Sequence, residues 1–197
     1  MPSTAPRETA MDQFDPTNVL TFADATRWEN WLAANHDRAE DVWLKIAKKG
    51  AAGATLTITE ALDGALCFGW IDSHRRRLDA DHYLQRYSPR RPKSPWSQVN
   101  VDRAEALIAA GRMHSAGFAA IAAARSDGRW SAAYERQRTA TCPDDLRDAL
   151  HANPRARDSF EQLDRTARYA VFLRLMKART SAERATRLRR ILTELSG

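Results

Sequence analysis

Trp70-Ile71-Asp72-Ser73-His74-Arg75-Arg76-Arg77-Leu78 is followed by Asp79-Ala80-Asp81 and then by His82-Tyr83-Leu84-Gln85-Arg86-Tyr87-Ser88. Two extended runs around a short acidic link predict a β-hairpin. Its buried face depends on register, because a one-residue slip decides whether Tyr83 and Tyr87 share a side with Trp70. Upstream, Thr57 and Glu60 have the spacing of a capping box, with Leu62, Ala65 and Leu66 at helical period after them. A helix is therefore expected to run to about Phe68 and to stop at Gly69. Val42-Trp43-Leu44-Lys45-Ile46-Ala47-Lys48 alternates, with Val42, Leu44 and Ile46 on one face, as a half-buried strand does. The Gly50-Ala51-Ala52-Gly53 stretch after it reads as a loop. Before it, Trp28, Trp31, Leu32 and Asn35 recur at helical spacing behind a possible N-cap, Asp24.

Downstream, Ser88-Pro89-Arg90-Arg91-Pro92-Lys93-Ser94-Pro95 holds three prolines and must be an irregular loop. The rest reads as helical. Asn100 and Ser115 are candidate caps, the first for a helix that Gly111 closes, the second for one that stops near Asp127-Gly128. Pro143 and Pro154 sit where first helical residues belong. Tyr169, Phe172, Leu173 and Met176 form one late stripe, and Leu188, Ile191, Leu192 and Leu195 another. These elements predict an α+β fold: a small antiparallel sheet with helices, followed by an all-helical C-terminal bundle. Residues 1–20 are expected to form a flexible lead-in, 21–140 the α+β body and 141–197 the helical tail.

The net charge of +6 is unevenly spread. Residues 1–69 carry −4, residues 70–96 carry +4, residues 97–164 carry −1 and residues 165–197 carry +7. Such a distribution concerns anionic partners more than fold. No apolar run approaches a membrane span, and the first twenty residues lack a signal peptide's basic start and apolar middle. Cys67 and Cys142 are too few for a disulfide framework, so the cytoplasm is the expected compartment. Cys67, at the apolar end of a helix, reads as a core residue and not a reactive thiol. His36, His74, His82, His114 and His151 form no metal-ligand spacing, and no glycine-rich phosphate motif is present. Neither metal nor cofactor is indicated.

Ala65-Leu66-Cys67-Phe68-Gly69-Trp70-Ile71-Asp72-Ser73 resembles a signature of the YdeI/OmpD-associated family. The similarity continues through Tyr83–Ser97, Val99-Asn100-Val101, Gly111-Arg112-Met113 and Asp127-Gly128-Arg129-Trp130 into the tail. The family carries the alternative description bacteriocin-protection, which implies a link to tolerance of cationic antimicrobial peptides or related envelope stress. It also implies a body like the small α+β fold of YjbR- and YdhG-type proteins. The family's tail usually has a compact Lys-Arg-x-Glu-Thr-Arg segment; here the comparable stretch is Lys177-Ala178-Arg179-Thr180-Ser181-Ala182-Glu183-Arg184. The resemblance supplies no catalytic residue.

Chemistry is densest in the hairpin and the loop after it. Arg75, Arg77, Arg86, Arg90, Arg91 and Lys93 stand beside Trp70, Tyr83 and Trp96. Arginine forks bind phosphate or carboxylate, and aromatic faces stack a ring. A solvated strand face over buried aromatics is the competing structural account. These residues point to a binding protein that receives a small anionic ligand or an acidic partner surface, with Arg86, Arg90 and Arg91 at the centre, and the resemblance implies a stress-tolerance role for it. The nine basic side chains from Arg165 to Arg190 allow nucleic-acid binding through both basic stretches, or simply line the outside of packed helices. Asp72 and His74, two apart on a strand, are the acid–base candidates for an enzyme, though no nucleophile stands beside them.

Overall fold

The computed structural model describes residues 19–51, 53 and 55–197. Most of the lead-in and part of the loop at 50–53 therefore lie outside the described residues. Among the described residues, four strands and eight helices follow one another as β1 (Val19–Leu20), α1 (Ala25–Asn35), β2 (Val42–Ala47), α2 (Ile58–Cys67), β3 (Trp70–Arg77), β4 (His82–Pro89), α3 (Gln98–Ala109), α4 (Ser115–Ser126), α5 (Asp144–His151), α6 (Pro154–Glu161), α7 (Arg165–Met176) and α8 (Ser181–Ser196). The fold is α+β, as the sequence predicts.

The sheet has the order β1-β2-β4-β3. β4 pairs antiparallel with both β2 and β3, so the hairpin forms. β1 runs parallel to β2, with Val19 opposite Trp43 and Leu20 opposite Leu44. The sheet is therefore mixed, not purely antiparallel. The reason is topological: α1 is the crossover that lets the chain return in the same direction.

Cross-strand register settles the buried face. Val42, Leu44 and Ile46 lie opposite Tyr87, Gln85 and Tyr83, and Asp72 lies opposite Tyr87. Trp70, paired with Pro89, is on that same face, which α1 and α2 cover. Trp28 stacks on Trp31 at 5.4 Å, approaches Tyr87 at 5.8 Å and donates from Nε1 to the Ala61 carbonyl at 3.0 Å. Trp70 Nε1 donates to the His36 carbonyl at 3.1 Å. Trp28 and Trp70 thus satisfy their polar atoms while contributing large apolar surfaces. Trp43, on the other face of β2, is also buried, so this strand is covered more fully than its alternation predicts.

Local signals account for α1 and α2. Asp24 accepts the Arg27 N–H, and Thr57 and Glu60 form the reciprocal capping box. Gly69, at φ +74°, ends α2 and turns the chain into β3. α4 crosses the end of α2 so closely that a Cβ on Gly117 would lie 2.4 Å from the Cys67 carbonyl oxygen. The His114 N–H donates to that same carbonyl at 3.0 Å. Cys67 is buried there, and the lost hydration pushes its thiol up to about 11, which suits a packing role.

Three cap assignments shift by a few residues. Ser97 caps α3 in place of Asn100, because its hydroxyl accepts the Asn100 N–H. Ser115 is the first residue of α4, behind His114. Pro143 precedes α5, whereas Pro154 opens α6 as expected.

The four tail helices enclose their own core of Leu146, Leu150, Ala156, Phe160, Val171, Phe172, Leu175 and Ile191. The buried stripe of α7 is Val171, Phe172 and Leu175, which is rotated from the predicted one. Tyr169 instead reaches out to donate to the Glu135 carbonyl at 2.8 Å. No helix among the described residues is long and apolar enough to cross a membrane.

Candidate functional site: a basic cleft between body and tail

A β-bulge between Asp72 and Arg75 disperses the hairpin's charged residues. Asp72 pairs with Tyr87 and Arg75 with Gln85, so Ser73 and His74 both fall opposite Arg86, on the far face. Asp72 and His74 therefore do not share a face, contrary to simple strand alternation. His74 is exposed. Asp72 is half-buried, and that burial raises its carboxyl above the usual range, with the Arg75 and Arg90 charges acting the other way.

The remaining candidates take separate positions. Arg75 donates to Gln85 Oε1 at 3.0 Å and lies 4.5 Å over the Tyr83 ring. Arg77 is exposed opposite Tyr83. Arg86 projects to the far face and pairs with Asp41. Arg90 lies 3.7 Å over the Trp96 ring and donates to the Pro95 carbonyl at 3.3 Å. Burial pushes its guanidinium down to about 10, with nearby Arg129 adding to the effect. Arg91 is exposed. Trp70 and Trp96 are core residues.

Lys93 has different surroundings. The segment after α4 zips alongside the Pro-rich loop: Tyr134 N–H donates to the Trp96 carbonyl, and Gln98 N–H donates to the Tyr134 carbonyl. Trp130 packs on Trp96 with ring centroids 4.8 Å apart. This brings Arg129 beside the loop, 6% exposed, where it donates to the Ser94 carbonyl at 2.9 Å and to both Asp127 oxygens. The turn between α7 and α8 closes the other side. The result is a cavity of about 150 Å³ lined by Lys93, Pro95, Arg129, Ala132, Lys177, Arg179 and Arg187.

Five of those seven residues are cations, drawn from three separate parts of the chain. Two carboxylates serve them. Asp127 pairs with Arg129 at 2.7 Å and approaches Arg179 at 3.9 Å. Glu183 accepts the Arg179 N–H at 2.9 Å and pairs with Arg187. The Arg129 hydrogen bond holds Asp127 below the usual carboxylate range, and the Arg179 N–H, then Arg187, do so for Glu183. Both acids are thus ionised at neutral pH, and the cluster keeps a surplus of three positive charges. Lys177 Nζ also sits 5.3 Å from the Tyr134 ring centre.

Of the hairpin and Pro-rich-loop residues singled out from sequence as ligand-binding, only Lys93 lines this cavity. Lys177, Arg179 and Arg187 belong to the basic tail stretch that the sequence offers as an alternative nucleic-acid surface, whereas Arg129 carries no binding expectation. The signal for the three tail residues was the excess charge after residue 165 and the unusual Lys177–Arg184 segment. Nothing local says that Arg129 meets them. The other tail arginines are engaged elsewhere: Arg174 and Arg190 with Glu194, and Arg184 with Asp145. Among the described residues, no group of three or more His, Cys, Asp or Glu side chains could hold a metal ion.

Neither a curated protein nor a solved structure gives a significant match to the chain. Residues 20–120, just over half of it, match a domain of unknown function, DUF8412. Residues 139–197, which contain α5–α8 and three of the cleft's cations, match the family described as "Bacteriocin-protection, YdeI or OmpD-Associated". The chain belongs to the DUF8412 domain family, and its helical tail is similar to the YdeI/OmpD-associated family.

Proposed function

We propose that the chain is a binding protein for a small anionic ligand, held where the Pro-rich loop meets the tail. The single observation behind this is the surplus of three positive charges around one concave site. Like charges gathered in a cavity repel one another, and an oxyanion relieves that repulsion while accepting charge-assisted hydrogen bonds. This keeps the Pro-rich loop in the site but moves the centre from Arg86, Arg90 and Arg91 to Lys93, Arg129, Lys177, Arg179 and Arg187. An acidic side chain on a partner protein offers the same chemistry on a larger body. We assign the binding to a stress-tolerance role, following the family's description as bacteriocin-protection. Two free cysteines, Cys67 and Cys142, support a reducing compartment such as the cytoplasm. The two separate cores support a division of the chain near residue 140.

Titration calorimetry with inorganic phosphate and pyrophosphate, at low and physiological salt, tests the site. Removing charge with Lys93→Ala/Arg179→Ala weakens binding by about tenfold or more, since each charge-assisted hydrogen bond contributes roughly 1.5–3 kcal/mol. The contrasting variant, Arg75→Ala/Arg77→Ala, leaves affinity unchanged. Loss of binding only in the hairpin variant sinks the cleft assignment. Tight oligonucleotide binding with a steep salt dependence points instead to nucleic acid.

A further inference from the structure

The basic cavity does not end at Arg179. A second, wider hollow of about 650 Å³ adjoins it, and Ala132 and Arg179 line both. Its other walls include Gly128, Ser131, Ala133, Met176, Ala178 and Ser181. These are small or uncharged side chains. One of the charged groups there, Arg184, is already held by Asp145 at 2.7 and 2.8 Å and by the Leu175 carbonyl at 3.1 Å. Glu135 is the one carboxylate on these walls. The cleft is thus polarised: a compact strongly cationic end continues into a roomy, nearly neutral trough.

Each end constrains the ligand. A cavity of about 150 Å³ is the size that receives a single six-atom ring in an engineered protein core, so it has room for one phosphoryl group. A second, distant anionic group would find Glu135 and no surplus cation in the trough. Small walls with hydroxyls at Ser131 and Ser181 suit a neutral, hydrogen-bonding body. We infer that the ligand is a phosphomonoester: one phosphoryl group in the Lys93–Arg129–Lys177–Arg179–Arg187 cavity, and an uncharged polar organic moiety in the trough. The inference rests on the anion-binding reading of the same cleft and specifies its substrate class.

The test compares inorganic phosphate, glycerol 3-phosphate and glucose 6-phosphate by calorimetry on the full chain. A bulky side chain is then placed in the trough by Ser131→Trp and, separately, by Ser181→Tyr. Both positions are exposed, so the folded parent is the reference, and circular dichroism and melting verify it. At least one ester binds the parent about tenfold or more tighter than inorganic phosphate, and the trough variants erase that advantage without changing inorganic phosphate affinity. Equal affinity for ester and inorganic phosphate in the parent overturns the inference while leaving the anion site intact. So does an ester advantage that both trough variants retain. Absence of phosphate binding in any form overturns both. Tighter binding of an oligonucleotide than of every ester also overturns it, because many phosphates then contribute.

Discussion

In the body, Arg75 lies over Tyr83 and Arg90 over Trp96, whereas in the tail Arg174, Arg184 and Arg187 each grip a carboxylate. The hairpin region has aromatic faces beside its cations and few acids, so stacking holds Arg75 and Arg90, while Asp41 on the neighbouring segment holds Arg86. Tail helices set Glu183 four residues before Arg187 and Arg190 four before Glu194, and bring Asp145 to Arg184 from another helix. Basic residues in either region therefore act mainly as internal fasteners. What makes the cleft different is failed neutralisation. Where the two regions meet, cations outnumber the acids within reach.

The largest effects should come from testing whether body and tail are held by separate cores. Trp28→Ala should cost about 3–5 kcal/mol and Leu146→Ala about 2–5 kcal/mol, because both side chains are fully buried. Hydrogen exchange is the decisive readout. Trp28→Ala should lower protection across β2, β4 and α2 while sparing α5–α8, and Leu146→Ala should do the reverse. A uniform loss in both variants would show one cooperative unit.

Next in size is the crossing of α2 and α4. Gly117→Ala should destabilise the body by about 1–3 kcal/mol, since the added carbon must displace backbone at Cys67. An unchanged melting temperature would mean that the helices can slide apart at little cost.

A smaller pair of effects differs in sign between the regions. Burial raises the Asp72 pKa in the folded state, so the stability tied to its protonated form is present below about 3.9, its ordinary value, and declines as pH rises through the folded value. Asp72→Asn should therefore stabilise the protein near neutrality and flatten that decline. The Arg184 hydrogen bond lowers the Asp145 pKa, so its contribution is present above the ordinary value and fades as pH falls through the folded one. Asp145→Asn should cost about 0–1 kcal/mol at neutral pH, the range for a part-exposed pair. Urea melts from pH 3 to 8 measure both variants, and slopes of the same sign would contradict the contrast. Smallest of all, Arg190→Ala should change stability by less than about 0.5 kcal/mol, because its side chain is largely exposed.

Much of the body is legible in the sequence because its signals are local. Val42–Ala47 alternates, Thr57 and Glu60 fix a helix start, and two runs around a three-residue link make a hairpin. β1 is not legible: Val19 and Leu20 are too few to display a period, and only their partner β2 makes them a strand. The bulge is equally hidden, since only the register shift opposite Arg86 reveals that Asp72 and His74 have parted. Of the cleft, Lys93 was readable because prolines mark an exposed loop. Arg129 was not, because its meeting with Lys177 and Arg179 depends on how the segment after α4 lies against Trp96.

The unneutralised cluster has a consequence for how the protein responds to dissolved electrolyte. Ion pairs such as Arg174–Glu194 weaken as mobile ions screen them, but crowded like charges are relieved by the same screening. The chain is thus built with two opposing ionic-strength dependences, one distributed over its outer helices and one concentrated at a single spot. Moderate salt, and above all a multivalent anion that condenses onto that spot, should tighten the union of its two halves before further salt loosens the periphery.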